Sequence, residues 1–143
     1  MELIVALAIL AGLAAIFLPA LGRTEPRKSV TSARDAFASL HASARASAIQ
    51  YGRMSRIRIA APYKMWVEVT NSAGGIDTLG RVMHLDSEFS RVQVSASGAT
   101  LCYGPRGLPV WPTGCNNPDA TIVFSKNNVV DTVRISAAGR LLR

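Results

Sequence analysis

Few residues of this chain have the type and spacing that chemistry needs. His84-Leu-Asp86-Ser-Glu88 alternates three titratable side chains. On an extended strand such alternation puts all three on one face, where a metal ion can be held. A solvent-facing strand running into a loop accounts for the same pattern without a metal, and it is the reading adopted. Cys102 and Cys115 match neither a CxxC redox pair nor a zinc spacing. They flank an interval containing Pro105, Gly107, Pro109, Pro112 and Gly114, and this suggests a disulfide formed in an oxidising compartment. Closing such a loop contributes about 3 kcal/mol by chain entropy; the alternative is two buried thiols. Arg134, Arg140 and Arg143 lie near or at the end of the chain, which closes in Gly-Arg-Leu-Leu-Arg. Arginines on a terminal strand can hold phosphates without reading base sequence. A basic tail docked on an acidic neighbour, or simply solvated, is the bland counterpart. No Gly-x-Ser-x-Gly elbow, phosphate loop or Cys/His pairing is present. The expectation is therefore no catalytic residue, no metal and no cofactor. His41 is read as a surface or groove residue.

These candidates need elements to position them. The chain has 143 residues, 16 Lys and Arg against nine Asp and Glu, and a net charge of +7. The excess favours anionic partners, although the arginines are spread along the chain rather than clustered. Residues 3–22 contain no charge, and Glu2 stands directly before them. Twenty apolar residues are enough to cross a bilayer as a helix. A carboxylate at the edge of such a segment is costly unless it is partnered or stays at the interface. The acidic start and the length of the run argue against a secretory signal peptide. Arg23, Arg27 and Lys28 follow the span and nothing basic precedes it. The positive-inside rule alone would then put the rest of the chain in the cytoplasm, against the cysteine pair. A basic leader upstream of Met1 would resolve the conflict.

Gly22 and Pro26 predict a bend or thinning of the helix. A second helical stretch spans about 29–51. Val30, Ala33, Phe37, Leu40, Ala44, Ala48 and Tyr51 form its apolar face and Gly52 its stop. From Met54 the period changes to two. Ile57 and Ile59 alternate with Arg56 and Arg58, and Met65, Val67 and Val69 alternate with Lys64, Trp66 and Glu68. Short strands are predicted at 82–85, 92–94, 100–103, 121–124 and 129–135, with turns at 71–75 and at Asn127-Asn128. The interval between the cysteines is predicted as ordered loop. The fold class is α+β, a long N-terminal helix on antiparallel sheet. It divides into a transmembrane and assembly helix at 1–22, a linker and amphipathic helix at 23–53, and a β-sheet domain at 54–143.

Glu-Leu-Ile-Val-Ala-Leu-Ala-Ile-Leu-Ala at 2–11 closely resembles the amino-terminal segment of type IV pilins and pseudopilins. Leu40-His-Ala-Ser-Ala-Arg-Ala-Ser-Ala-Ile49 with Gly52-Arg53, the strand Ile122-Val-Phe124, and Val133-Arg-Ile-Ser136 with Gly139-Arg140 resemble the GspH/FimT pseudopilins. The resemblance implies a structural subunit, a minor pseudopilin at the tip of a periplasmic pseudopilus in type II protein secretion. The alternative is a minor type IV pilin that takes up DNA. It further implies a single pass through the bacterial inner membrane with the C-terminal domain in the periplasm. Partners would be other minor and major pseudopilins, met through the N-terminal helix. A prepilin peptidase would act on the precursor, whose leader ends in glycine, and the new terminus would be N-methylated. Glu2 would serve assembly by attracting the amino terminus of a neighbouring subunit, a charge pair that fixes register more than it stabilises. Some DNA-binding relatives end in Gly-Arg-x-Arg. One additional residue separates Arg140 from Arg143 here, which changes the face the second one occupies; Arg134, Arg140 and Arg143 are the candidate DNA-binding set.

Overall fold

The computed structural model describes residues 2–96, 100–115 and 119–142, and within residues 2–24 the backbone, with exposure at Leu10 and Gly12 only. Helix α1 runs Glu2–Tyr51, 50 residues in all, or about 75 Å at 1.5 Å per residue. It passes through Gly22 and Pro26 without ending. A proline removes one donor, and the hydrogen-bonded turns on either side carry the helix past it. Gly52, at φ +60, ends it. The Gly52 amide donates to the Ile49 carbonyl and the Arg53 amide to that of Ala48, both at 3.2 Å. Those are the paired bonds of a Schellman C-cap. Among the described residues no helix is long and apolar enough to cross a membrane; the apolar run at 3–22 falls almost wholly outside the described side chains.

The strands are β1 Ser55–Ala60, β2 Lys64–Thr70, β3 Ile76–His84, β4 Gln93–Ala96, β5 Thr100–Tyr103, β6 Pro109–Val110, β7 Thr121–Lys126, β8 Val129–Ile135 and β9 Leu141–Leu142, with a short helix α2 at Leu85–Glu88. They form two sheets, ordered β3-β2-β1-β5-β6 and β4-β7-β8-β9. Every pairing is antiparallel. The C-terminal half of α1 lies across the inner faces of both sheets. Period-two alternation aims Ile57, Ile59, Met65 and Val67 inward from the first sheet and Ile122, Phe124, Val133 and Ile135 inward from the second. Val30, Ala33, Phe37, Ala44 and Ala48 meet them from the helix, all buried. Phe37 packs on Phe124 with ring centroids 5.8 Å apart. The expected α+β class, a long N-terminal helix on antiparallel sheet, is what the chain forms.

The details differ in five places. One sheet was expected and two form. Strand β3 begins at Ile76, upstream of the apolar residues at 82–85, because its first half is an exposed hairpin arm without an apolar face. Leu85–Glu88 is a helical turn rather than strand. Pro109 and Val110 pair with Tyr103 and Cys102, so the interval between the cysteines contains a strand. On the helix, Tyr51 is 49% exposed because α1 outruns the sheets at its end, whereas His41 is only 5% exposed. His41 is not a surface residue: it lies four residues after Phe37 and three before Ala44, on the apolar face.

Five polar contacts fix the helix along the domain. The Lys126 ammonium donates to Ser29 Oγ at 3.3 Å, and Arg34 pairs with Asp131 at 2.9 Å. Ser55 Oγ donates to the Ala44 carbonyl at 2.6 Å, and Arg45 donates to the carbonyls of Gly107 and Gly139. Strand β8 therefore runs alongside α1 in the same direction. The β7–β8 turn lies near residues 27–31 of the helix and the β8–β9 turn near Arg45, 16 positions or about 24 Å beyond Ser29.

Candidate functional site

The far end of the domain gathers several of the residues singled out from the sequence. Cys102 and Cys115 are joined by a disulfide, with Cα atoms 5.8 Å apart. The enclosed loop turns back under α1. Gly107, at φ +70, passes so close to the helix that an added Cβ would lie 2.8 Å from Ile49 Cδ1. The β8–β9 turn packs on the same loop. Gly139, at φ +73, would bring a Cβ within 2.8 Å of Pro109 Cδ. Glycine is favoured at both positions by the left-handed backbone, and at Gly139 also by the close approach of the rigid Pro109 ring, whereas the exposed Ile49 tip can move aside at Gly107. Arg45 holds the three segments together: its Nε donates to Gly107 O at 2.9 Å and its guanidinium nitrogen NH1 to Gly139 O at 3.3 Å. The fork geometry of a guanidinium suits such a double contact. The sequence reading missed this role, because Arg45 looks like a residue off the apolar face. The available signal was the two turn glycines, which predict backbone carbonyls near a close contact.

Beside Arg45 lies a buried polar pair. The rings of His41 and Tyr103 meet edge to face, centroids 5.3 Å apart and planes at 84°. His41 Nε2 and the Tyr103 hydroxyl are both buried without a hydrogen-bond partner among the described residues. Burial, and secondarily the Arg45 cation, lowers the His41 pKa to about 4. The imidazole is therefore neutral at neutral pH. Burial raises the Tyr103 pKa, with Arg45 opposing the shift. The edge-to-face arrangement suits two aromatic bodies in a core, while the unpartnered polar atoms carry a cost.

The arginines of the C-terminal hairpin come together in part. Register pairs Arg134 with Leu142 and Ile135 with Leu141. Ser136 and Arg140 close the turn: the Ser136 amide donates to the Arg140 carbonyl and the Arg140 amide to Ser136 Oγ. Val133 and Ile135 are buried, so alternation puts Arg134 and Arg140 on the outer face of the second sheet, one row apart and both exposed. Arg143 lies outside the described residues. Glu2 begins α1, but its side chain lies outside them too.

The metal reading of His84, Asp86 and Glu88 is not supported: among the described residues no group of three or more ligands converges. His84 ends β3, whereas Asp86 and Glu88 lie on α2, so strand alternation does not apply. His84 Nδ1 is 3.9 Å from Asp86 Oδ1. Glu88 is instead committed to Arg81 at 2.8 Å and to the His84 backbone amide at 3.1 Å.

Comparison with known proteins agrees with this architecture. The family described as Type II transport protein GspH matches residues 33–139. Among solved structures, the type IV minor pilin FimU of Pseudomonas aeruginosa strain PAO1 is similar, with a TM-score of 0.61 and 18% sequence identity. The match covers 81% of this chain and 88% of that one. At that identity the likeness speaks for the fold. A search of curated proteins gives no match.

Proposed function

We infer the function from one premise: this chain belongs to the GspH family of type II transport proteins. That makes it a pilin-like subunit, and the finer reading is a minor pseudopilin at the tip of the pseudopilus in type II protein secretion. The observation that carries the assembly reading is the length of α1. The contacts that fix α1 on the sheets begin at Ser29. The turns before that residue extend past the globular domain and contain the uncharged run behind Glu2. A helix that long, apolar along its free half, is suited to packing among sister helices, with the sheets displayed around the bundle. On this reading residues 3–22 span the inner membrane once, the remainder is periplasmic, and the disulfide fits that oxidising space. A prepilin peptidase would process the precursor and the new terminus would be methylated. Glu2 would set register by pairing with the amino terminus of the neighbouring subunit.

The exposed pair Arg134 and Arg140 favours a second reading, a minor type IV pilin that captures DNA through these residues and Arg143. Phosphate-only contacts would make such binding independent of base sequence and steeply salt-dependent. A gene deletion complemented by the wild-type chain separates the two. Loss and recovery of protein secretion supports the first reading; loss and recovery of DNA uptake, with secretion intact, replaces it by the second. A gel shift at low salt, with and without Arg134→Ala, Arg140→Ala and Arg143→Ala, tests the arginines directly. Absence of binding by the wild-type chain removes the DNA reading.

A further inference from the structure

We propose that the end of the globular domain nearest residues 3–22 is a docking surface for anionic lipid head groups, built from Arg27, Lys28, Arg91 and Lys126. The proposal rests on the reading that residues 3–22 lie in a bilayer. It accounts for the basic residues that follow the span, which the assembly function leaves unused.

Four observations converge on this end. First, depth. Residues 27–29 follow residue 22 by five to seven positions, about 8–10 Å of helix. The head-group layer on each side of a bilayer is about 5–8 Å thick, and screening sets in over about 8 Å at physiological salt. Arg27 and Lys28, both exposed, thus stand at the outer edge of the head groups. Second, the fold brings further cations to the same level. The Lys126 ammonium reaches Ser29 Oγ at 3.3 Å, which ties the end of β7 to that turn of α1. Arg91 shares with Lys126 an open groove of about 580 Å³, also lined by Tyr63, Ser90, Gln93 and Asn127. A second groove of about 410 Å³ continues it past Asn128 and Val130 to Arg27.

Third, the charge balance. The carboxylates at this end are Glu25, Asp35, Asp86 and Asp131. Asp131 and Asp35 share one guanidinium, that of Arg34, at 2.9 and 3.0 Å. With Arg34 counted, five cations stand against four carboxylates, and no ion pair occupies Arg27, Lys28, Arg91 or Lys126 among the described residues. The groove between Arg91 and Lys126 contains hydroxyl and amide donors and no carboxylate, a lining suited to phosphodiester oxygens. Fourth, strain. Ser90 and Arg91 are consecutive non-glycine residues in the left-handed region, at φ 53 and 64. Such a pair persists only where its surroundings enforce it, and here it presents Arg91 at the groove. A domain seated in this way would be held upright on the membrane before it enters a filament.

The full chain, reconstituted in vesicles of phosphatidylcholine alone or mixed with phosphatidylglycerol, provides the test. Flotation reports anchoring, and the acetylation rates of Lys28 and Lys126 report docking. Each cation near an anionic surface strengthens attachment about fivefold, so the docked state should prevail on the anionic vesicles and both lysines should react severalfold more slowly there. Arg91→Glu should return Lys126 toward its rate on neutral vesicles, and Arg91→Gln should do so in part. Equal rates on the two compositions, with the chain floating on both, overturn the docking surface alone. Protection on neutral vesicles by millimolar inorganic phosphate also overturns it, in favour of a soluble-anion site. Failure to float on either composition overturns the anchoring reading itself.

Discussion

Replacing Arg45 by alanine should loosen the far end of the domain. The side chain makes two hydrogen bonds to main-chain carbonyls, at 2.9 Å to Gly107 and 3.3 Å to Gly139. A bond from a charged donor contributes about 1.5–3 kcal/mol net, and the longer one belongs at the low end. Truncation also removes the aliphatic stem and leaves two carbonyls in a closely packed junction. Together these give a loss of about 3 kcal/mol, equivalent to about 12 °C in Tm at about 4 °C per kcal/mol for a domain of this size. The assay is thermal and urea unfolding of the full chain in detergent, followed by circular dichroism. Arg45→Lys should lose about half as much, because an ammonium keeps the charge and can reach one carbonyl but not span both. In Arg45→Ala the His41 resonance should titrate higher than in the wild type. It should still titrate below 6.5, because burial is the larger cause of the shift. An Arg45→Ala variant within about 0.5 kcal/mol of wild type, the range of an ordinary surface change, would refute the assignment of Arg45 as the tie between helix, disulfide loop and C-terminal hairpin.

Four further outcomes follow, three of them from the same region. His41 holds its proton in the folded chain only below about pH 4, against 6.5 for an unperturbed imidazole. Stability is therefore whole above pH 6.5 and falls by about 3 kcal/mol as pH drops through 4, at 1.36 kcal/mol per unit; His41→Leu should flatten urea midpoints over that window. Gly139→Ala should destabilise by about 2 kcal/mol, combining left-handed strain with a clash on the Pro109 ring. Gly74→Ala, at φ +83 with open space around it, should cost about 1 kcal/mol, and a thermal melt of the two side by side separates strain from contact. Cys102→Ser with Cys115→Ser should lose about 3 kcal/mol, read as a shift in urea midpoint.

What could be read from the sequence follows periodicity. The helix face from Val30 to Ala48 was legible because every third or fourth residue is apolar. Strands β1, β2, β7 and β8 were legible because their inner positions are Ile, Met, Val and Phe. His41 was not, since a polar side chain on an apolar face looks like an interruption until its neighbours are known to surround it. Strand β3 was hidden because its pairing with β2 is held by backbone bonds over an exposed arm. The division into two sheets depends on long-range pairing, which local pattern does not encode. The cysteine pair was legible from loop chemistry, but not the role of the loop as a floor for Arg45, Ile49 and Gly139. Arg134 and Arg140 were both candidates from the sequence; only the register of β8 with β9 puts them on one face.

The central claim is that α1 is an assembly helix shared with sister subunits. A photo-crosslinker at Leu10, 64% exposed on the free half of α1, tests it in membranes of cells that make the whole machinery. The account predicts covalent adducts with other pilin-like subunits, lost in Glu2→Ala while the chain itself remains membrane-inserted. A wild-type chain that inserts normally and yields no pilin-like adduct would contradict it.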